Sequence, residues 1–322
     1  MANDWHSVIA SEMERVEGVL FHAGKADNPE LTEMCQYVLA NHGKRVRPAF
    51  SILSYYVCGG KDPTRAIDVG CGIELIHNAT LIHDDINDQG ELRRGAKALY
   101  REYALGKSIV CGDYLFALGY KLMGSSSGDL VNFIIEAASG LACGEFSQKK
   151  YERNVMVGEA EYMDIISGKT ARLIECAAKC GAFLADSTDA QTIDAVGNFA
   201  FKAGQAFQII DDVLDVAGDV SNTGKKLGND IIEGKPTLPT IYAIEDPSCG
   251  ARIREVFENP ESTREEVAEA IELINKTDSI ARCRRLAEAI AESAKSELDT
   301  FAPSVYKDCL FDLVDFIVSR DR

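Results

Sequence analysis

The sequence predicts an all-α protein built as one helical bundle, and three observations support this fold class. Apolar residues recur at intervals of three and four in stretches such as DYLFALGYKLM (113–123) and CLFDLVDFIV (309–318). Alternating runs typical of half-buried strands are few. No internal repeat, low-complexity tract or Pro/Gly-rich linker interrupts the 322 residues, so we expect a single domain over 1–322.

Local patterns predict individual helices in chain order. The segment GKRVRP (43–48) precedes the apolar run ILSYYV, and residues 66–84 have the pattern of one long helix. Residues 171–185 and 199–216 are apolar on most faces, which indicates helices inside a bundle. From about residue 251 the pattern is that of an amphipathic array with a structural role.

Two signals predict helix starts in the C-terminal part. Ser262 and Thr263 precede Glu265 and Glu266 as overlapping capping boxes. Pro303 is expected to open the last helix, because proline fits the first helical turn.

Composition narrows the range of possible functions. The net charge of −17 argues against nucleic acid as a partner, since binding to phosphate backbones requires a basic surface. The N-terminal segment MANDWHSVIASEMERVEG has no long apolar run, so we expect neither a signal peptide nor a membrane anchor, and a cytoplasmic location. The ten cysteines form no CxxC pair, which favours reduced, packed thiols over disulfides or zinc ligands.

The first informative motif is HDDIND, which contains Asp84, Asp85 and Asp88. On a helix these three carboxylates project within an arc of roughly 100°. Such carboxylates repel one another and are costly near apolar residues unless a cation neutralises them. A solvated acidic helix end is the alternative interpretation.

The second motif, FQIIDDVLDVAGD, repeats the spacing at Asp211, Asp212 and Asp215. This recurrence within apolar helices disfavours the acidic helix end. Oxygen ligands of this kind favour Mg²⁺, which binds through carboxylates together with substrate phosphates. We therefore expect two facing helices to hold a diphosphate through roughly two or three Mg²⁺ ions, with Mn²⁺ as a substitute.

Basic residues lie in loops and at helix ends, where they could bind a diphosphate. Any one of them taken alone is more often a solvated side chain, but their joint arrangement favours an anion site. They are Lys44, Arg45, Arg47, Arg93, Arg94, Lys169, Lys225, Lys226 and Lys235.

At this point the sequence resembles a known family, the trans-isoprenyl (polyprenyl) diphosphate synthases. Its motifs, in the usual order, are similar to GKRVRP, LIHDDINDQGELRRG, GDYLF, SGKTARL, AFQIIDDVLD and GKKLGNDIIEGKPTLPTIYA. The resemblance covers essentially the whole chain and implies the isoprenoid synthase fold around a central cavity. The chain departs from the family at Lys97-Ala98, where Pro-Thr is common, and near Lys107, where an Asn is usual.

The resemblance also implies a role for each motif residue. Asp84, Asp88 and Asp211 are implied as direct Mg²⁺ ligands, and Asp85, Asp212 and Asp215 as supporting ones, directly or through water. Isopentenyl diphosphate is assigned to Lys44, Arg47, His77 and Arg94. The allylic diphosphate is assigned to Arg93, Lys169, Lys225 and Lys235, with Thr170 and Gln208 beside it. The aspartates 84, 85, 88, 211 and 212 and the lysines 169 and 225 are the expected catalytic residues.

The predicted reaction condenses isopentenyl diphosphate with an allylic diphosphate. Metal and basic side chains withdraw charge from the allylic diphosphate, its C–O bond ionises, and the cation alkylates the isopentenyl double bond. A terpene cyclase and a non-catalytic partner subunit are the competing hypotheses, which the second DDxxD motif and GKRVRP disfavour. We also expect a homodimer, as in the family.

Product length is predicted from the residues before the first aspartate. Short-chain members of the family often carry an aromatic residue four or five positions earlier, where this chain has Thr80 and Ala79. A product longer than farnesyl is therefore expected, a long-chain polyprenyl diphosphate ahead of geranylgeranyl diphosphate. Tyr114, Phe116 and Tyr120 are candidates for the cavity floor.

Overall fold

The computed structural model describes residues 4–40, 43–124, 128–185, 188–218 and 227–320, and most of these residues are helical. The all-α prediction is confirmed. The helices are α1 (Trp5–Val8), α2 (Ala10–Ala23), α3 (Pro29–Ala40), α4 (Val46–Val57), α5 (Thr64–Asn87), α6 (Leu99–Glu102), α7 (Leu105–Met123), α8 (Gly128–Lys150), α9 (Glu159–Ile166), α10 (Arg172–Leu184), α11 (Ala190–Ala217), α12 (Asn229–Glu233), α13 (Leu238–Ile244), α14 (Gly250–Glu258), α15 (Arg264–Ile274), α16 (Ser279–Ser296) and α17 (Val305–Val318).

The chain groups into two compact units, each carrying one aspartate motif. The first-motif unit comprises Met1–Ile135, Leu173–Ala200 and Glu297–Leu313. The second-motif unit comprises Glu136–Arg172, Phe201–Ser296 and Val314–Arg322.

In the first-motif unit, glycines allow helices to approach at backbone distance. A Cβ on Gly72 of α5 would lie 2.7 Å from the carbonyl oxygen of Gly119 on α7. A Cβ on Gly181 of α10 would lie 2.0 Å from the carbonyl oxygen of Ser51 on α4. Real Cβ atoms do not come this close, so glycine is required at both crossings. The first of these contacts fixes α5, the helix that carries the first aspartates, against α7.

In the second-motif unit, the apolar side of α11 forms the core. Ile209, Ile210 and Val213 are fully buried and pack in one cluster with Leu238 and Ile241 of α13. The second aspartates occupy the same turns as these apolar residues, so core packing sets the direction in which the aspartates point.

Three details correct the sequence analysis. Thr263 forms the predicted capping box with Glu266, but the Ser262 hydroxyl donates to the Val256 carbonyl and does not cap with Glu265. The last helix begins at Val305, two residues after Pro303. The RRG segment forms a short antiparallel hairpin, β1 (Leu92–Arg93) and β2 (Ala96–Lys97).

The helices were also compared with the length and apolarity that a membrane span requires. Within the described ranges, none meets both requirements.

Candidate active site

The first aspartate motif lies in the last turn of α5. Asp84 and Asp85 are helical, and Asp88 is the residue that caps the helix. Asp84 and Asp88 are partly exposed, whereas only 5% of Asp85 is exposed. The three carboxylates therefore have different surroundings despite their common spacing.

Asp85 is paired with Arg93 of the hairpin. The Arg93 Nε atom donates to Asp85 Oδ1 at 2.9 Å, and the Nη2 atom donates to the same oxygen. A charge-assisted hydrogen bond of this kind offsets the cost of burying the carboxylate. The sequence analysis assigned Asp85 to supporting the metal and Arg93 to the allylic diphosphate, and those roles stay predictions.

The tight turn of the hairpin positions Arg94. Arg94 and Gly95 have φ angles of 52° and 81°, as in the two-residue type I′ turns that join antiparallel strands. A Cβ on Gly43 would lie 2.7 Å from Arg94 Nη2, so the guanidinium lies against the backbone of GKRVRP. The two basic motifs, about fifty residues apart in sequence, thus meet in the structure.

Arg47, His77 and Arg94 form a basic cluster beside the first motif. Burial lowers the pKa of His77 well below its usual value, and the positive charges of Arg47 and Arg94 lower it further. Burial also lowers the pKa of Arg47 to about 10, against the opposing effect of Glu74, so Arg47 stays charged at neutral pH. Among the described residues, the buried Nε of Arg47 has no hydrogen-bond partner. Lys44 is exposed.

Arg45, although it belongs to the same basic motif, has a structural role. It precedes α4 in a left-handed conformation with φ 48°, and only 3% of it is exposed. Its guanidinium pairs with Glu17 at 2.8 Å and Glu74 at 3.3 Å and donates to the Leu39 carbonyl at 2.8 Å. Sequence reasoning missed Glu74, a buried carboxylate one helical turn before His77 that also acts on Arg47 and Arg94.

In the second motif, Asp211 is 52% exposed and lies near Arg320. The Arg320 Nη2 is 3.7 Å from Asp211 Oδ1, and its guanidinium lies 4.2 Å above the ring of Phe207. The sequence analysis gave Arg320 no role. The available signal was the ending LVDFIVSRDR (313–322), which is also similar to the family that the sequence resembles and in which Arg320 is the third residue from the end.

Asp212 is buried and fully engaged by protein donors. Its Oδ2 accepts from the Tyr162 hydroxyl and its Oδ1 from Gln208 Nε2, both at 2.7 Å. Burial raises the pKa of Asp212 well above its usual value, and the nearby charge of Asp230 adds to this. Tyr162 is another residue that sequence reasoning missed.

Asp215 and Lys235 contact the segment around α12. Asp215 Oδ2 accepts from the backbone N–H of Asp230 at 3.1 Å, in the first turn of that helix. Lys235 Nζ pairs with Glu233 at 2.5 Å. Lys225 and Lys226, both assigned from sequence, lie outside the described residues.

Lys169 and Thr170 lie in a π-helical segment, Ser167–Ala171, which links α9 and α10 without a break. Such turns are uncommon and frequently occur at functional sites. Lys169 Nζ pairs with Glu145 at 2.6 Å, and the Thr170 hydroxyl donates to Gln208 Oε1 at 2.8 Å. The structure thus joins three predicted residues, Thr170, Gln208 and Asp212, in one hydrogen-bonded chain.

The acidic side chains of the two motifs are potential ligands of a divalent cation. Within the described residues, no group of three or more His, Cys, Asp or Glu side chains is placed to hold a metal ion by itself. The accessible carboxylates of Asp84, Asp88 and Asp211 are oxygen donors of the kind that Mg²⁺ prefers. The accessible carboxylates of each motif, taken separately, therefore fit a metal held jointly with phosphate oxygens.

The neutral state of His77 predicts a pH dependence of stability. Because its pKa is lower in the folded chain than in the unfolded chain, the unfolded chain binds more protons, and the free energy of unfolding falls as the pH drops below about 6.5. We expect His77→Gln to reduce the loss between pH 7.5 and 5.5 by about 1 kcal/mol, measured by urea denaturation. His22→Gln, at an exposed position, is the control. Equal losses in wild type and His77→Gln would contradict a neutral imidazole at this position.

Comparison with known proteins shows which family the chain resembles in sequence. The family model described as polyprenyl synthetase matches residues 28–274. The octaprenyl diphosphate synthase of Escherichia coli (strain K12) is 30% identical over 320 residues, which is 98% of each chain. The geranylgeranyl pyrophosphate synthase of Geoglobus acetivorans is 34% identical over 317 residues, 96% of each chain.

A solved structure agrees with this result. The polyprenyl synthase from Caulobacter crescentus CB15, complexed with calcium and isoprenyl diphosphate, superposes with a TM-score of 0.94 and 29% identity. The match covers 99% of this chain and 97% of that one. With the family model matching most of its length, the chain belongs to the polyprenyl synthetase family.

Proposed function

We propose that this chain is a Mg²⁺-dependent prenyltransferase that condenses isopentenyl diphosphate with allylic diphosphates. The observation that carries the proposal is the basic cluster of Arg47, His77 and Arg94 beside the first aspartates. A buried arginine Nε without a partner among the described residues is costly unless a ligand satisfies it. A diphosphate would supply the missing acceptor.

The residues divide into two groups. Lys44, Arg47, His77 and Arg94 bind isopentenyl diphosphate, and His77, held neutral, donates or accepts one hydrogen bond there without adding charge. Lys169, Thr170 and Gln208 lie with the second motif and bind the allylic diphosphate, as do Arg93, Lys225 and Lys235. We further propose that one domain over 1–322 performs the reaction, since the matched range 28–274 includes segments of both units.

Asp84, Asp88 and Asp211 would hold the metal, supported by Asp85, Asp212 and Asp215. Bound Mg²⁺ supplies charge stabilisation for the departing diphosphate. The basic side chains add hydrogen bonds to the same oxygens, and apolar walls exclude the water that would quench an allylic cation. A cytoplasmic location stays a prediction from sequence.

Removal of a metal-binding carboxylate should abolish most turnover. We expect Asp84→Asn or Asp211→Asn to lower kcat by roughly 100-fold or more, with unchanged helical circular dichroism. The controls are Asp68→Asn and Asp194→Asn, which remove aspartates from the same two helices. EDTA should abolish activity, and Mg²⁺ or Mn²⁺ should restore it. Near-normal turnover in Asp84→Asn or Asp211→Asn would overturn the assignment.

The two groups of cations should have separable kinetic effects. Arg47→Ala or Arg94→Ala should raise KM for isopentenyl diphosphate by about tenfold, because each loses a charge-assisted hydrogen bond. Lys169→Ala should change KM for the allylic substrate or kcat instead. Steady-state assays that vary each substrate in turn measure this, and identical profiles for all three variants would refute the division.

We infer a product longer than farnesyl, with a long-chain polyprenyl diphosphate ahead of geranylgeranyl diphosphate. The similarity to an octaprenyl diphosphate synthase supports the long-chain product over the geranylgeranyl alternative. Ala79 is fully buried on the side of α5 that contacts α7, and Thr80 is 8% exposed. Neither presents the bulk that limits chain growth.

A bulky residue before the aspartates should shorten the product. Reversed-phase chromatography of dephosphorylated products from farnesyl and isopentenyl diphosphates should show chains longer than farnesol for wild type and shorter ones for Ala79→Phe. Thr80→Phe is the second variant, in case overpacking unfolds the first. Farnesol-length product from wild type would refute the inference.

We also propose a homodimer. Apolar side chains of the first-motif unit are exposed on α7 and on the N-terminal part of α8: Leu105, Ile109 and Val110 on α7, and Val131 and Ile135 on α8. Exposed apolar groups of this kind are typical of surfaces that bind another protein, and twofold pairs are the commonest oligomers.

Charges on this surface should break the dimer. Ile109→Glu combined with Ile135→Glu should halve the mass measured by light scattering at micromolar concentration, because charge is costly in an apolar interface. Phe21→Glu, at another exposed apolar position, should leave the mass unchanged. A wild-type monomer would contradict the proposal.

A terpene cyclase remains the competing function. Such an enzyme ionises one allylic substrate and has no need for a second diphosphate site, so the basic cluster favours condensation. Incubation with an allylic diphosphate alone tests this. Release of a cyclic hydrocarbon without isopentenyl diphosphate would overturn our choice.

A further inference from the structure

Two hydrogen bonds, one in each direction, join the helix of the second aspartates to the segment that carries Lys169. Gln205 Nε2 on α11 donates to the Ser167 hydroxyl at 2.9 Å. Three residues later on both sides, the Thr170 hydroxyl donates to Gln208 Oε1 at 2.8 Å. Gln208 and Thr170 belong to the predicted site, whereas Gln205 and Ser167 do not.

Neighbouring groups determine which side chain donates and which accepts in each bond. Gln208 Nε2 donates to Asp212, so its oxygen faces Thr170. The Ser167 hydroxyl donates to the Met163 carbonyl at 2.5 Å, so it can only accept from Gln205. Gln205 must therefore present its amide nitrogen, and a residue without a donor there cannot form the bond.

The segment between these bonds is the π-helical turn, which needs external support. Its hydrogen bonds are less favourable than those of an α-helix, so surrounding contacts must maintain it. On one side it contacts α8 at backbone distance, since a Cβ on Gly168 would lie 2.7 Å from the carbonyl oxygen of Gly140. On that side Lys169 Nζ is also drawn to Glu145 at 2.6 Å and to Gln148 at 3.4 Å. The bonds from α11 hold the other side.

We propose that Gln205 and Ser167 are positioning residues for the allylic diphosphate, acting through Lys169 and Thr170. This inference rests on the proposed function. Loss of the Gln205–Ser167 bond lets the π-helical turn shift relative to the second aspartates. Lys169 and Thr170 then bind the allylic diphosphate more weakly. The residues assigned to isopentenyl diphosphate lie in the first-motif unit and are unaffected.

Steady-state kinetics of Gln205→Leu and Ser167→Ala test this. The loss of one neutral hydrogen bond corresponds to roughly a fivefold effect, so KM for farnesyl diphosphate should rise by about that factor. KM for isopentenyl diphosphate should stay within about twofold. The double variant should be no worse than either single variant, because both remove the same interaction. Ser167→Thr keeps the hydroxyl and should behave as wild type.

Ser293→Ala is the matched control. Its hydroxyl accepts from Lys202 of the same α11 at 2.8 Å, without contacting the π-helical turn. This variant loses one side-chain hydrogen bond to α11, here an exposed one, and should keep both KM values. Gln205→Met is the second variant if Gln205→Leu does not fold, since methionine has a similar length but no N–H donor.

Three results would overturn the inference while leaving the proposed function intact. They are an unchanged KM for farnesyl diphosphate, an equal rise in the KM values of both substrates, and a fall in kcat that is fully explained by a lower melting temperature of the variant. If wild type does not condense the substrates, the proposed function fails. Titration calorimetry with Mg²⁺ and inorganic diphosphate then tests positioning without turnover: Gln205→Leu should bind roughly fivefold more weakly, and equal affinity would refute the inference.

Discussion

Adjacent carboxylates repel one another, and both aspartate motifs can exist in the fold only if the structure relieves this repulsion. Each motif places two neighbouring aspartates on a helix that is otherwise largely apolar, and bare charges there would destabilise the fold. The structure resolves this in the same way twice. The second aspartate of each pair turns towards protein donors: Asp85 towards Arg93, and Asp212 towards Tyr162 and Gln208. The first aspartate of each pair stays accessible to a ligand.

A similar balance governs the basic residues. Arg45, Arg47 and Arg94 lie near one another in a protein whose net charge is −17. Glu74, which is 2% exposed, reduces their mutual repulsion, and Arg45 is neutralised further by Glu17. The remaining positive charge is then held at Arg47 and Arg94, beside the neutral His77.

The sequence predicted the features that depend on local pattern. Apolar periodicity revealed the helical class, and the repeated DDxxD spacing placed both motifs on helices. Composition and spacing cannot show which neighbour lies on the other side of a side chain. The different surroundings of Asp84 and Asp85, the structural role of Arg45 and the contributions of Glu74 and Tyr162 arise from tertiary contacts. The hairpin at RRG was missed because two-residue strands are too short for a periodic signal.

The conformation of Arg94 has a consequence for engineering. In a type I′ turn, asparagine and glycine adopt a positive φ at little cost, whereas an arginine at φ 52° retains strain. Selection of variants for heat resistance alone would therefore favour replacing Arg94, and the resulting proteins would be more robust but would lack a cation of the basic cluster. At this position heat resistance and the proposed binding of isopentenyl diphosphate impose opposite preferences on one residue.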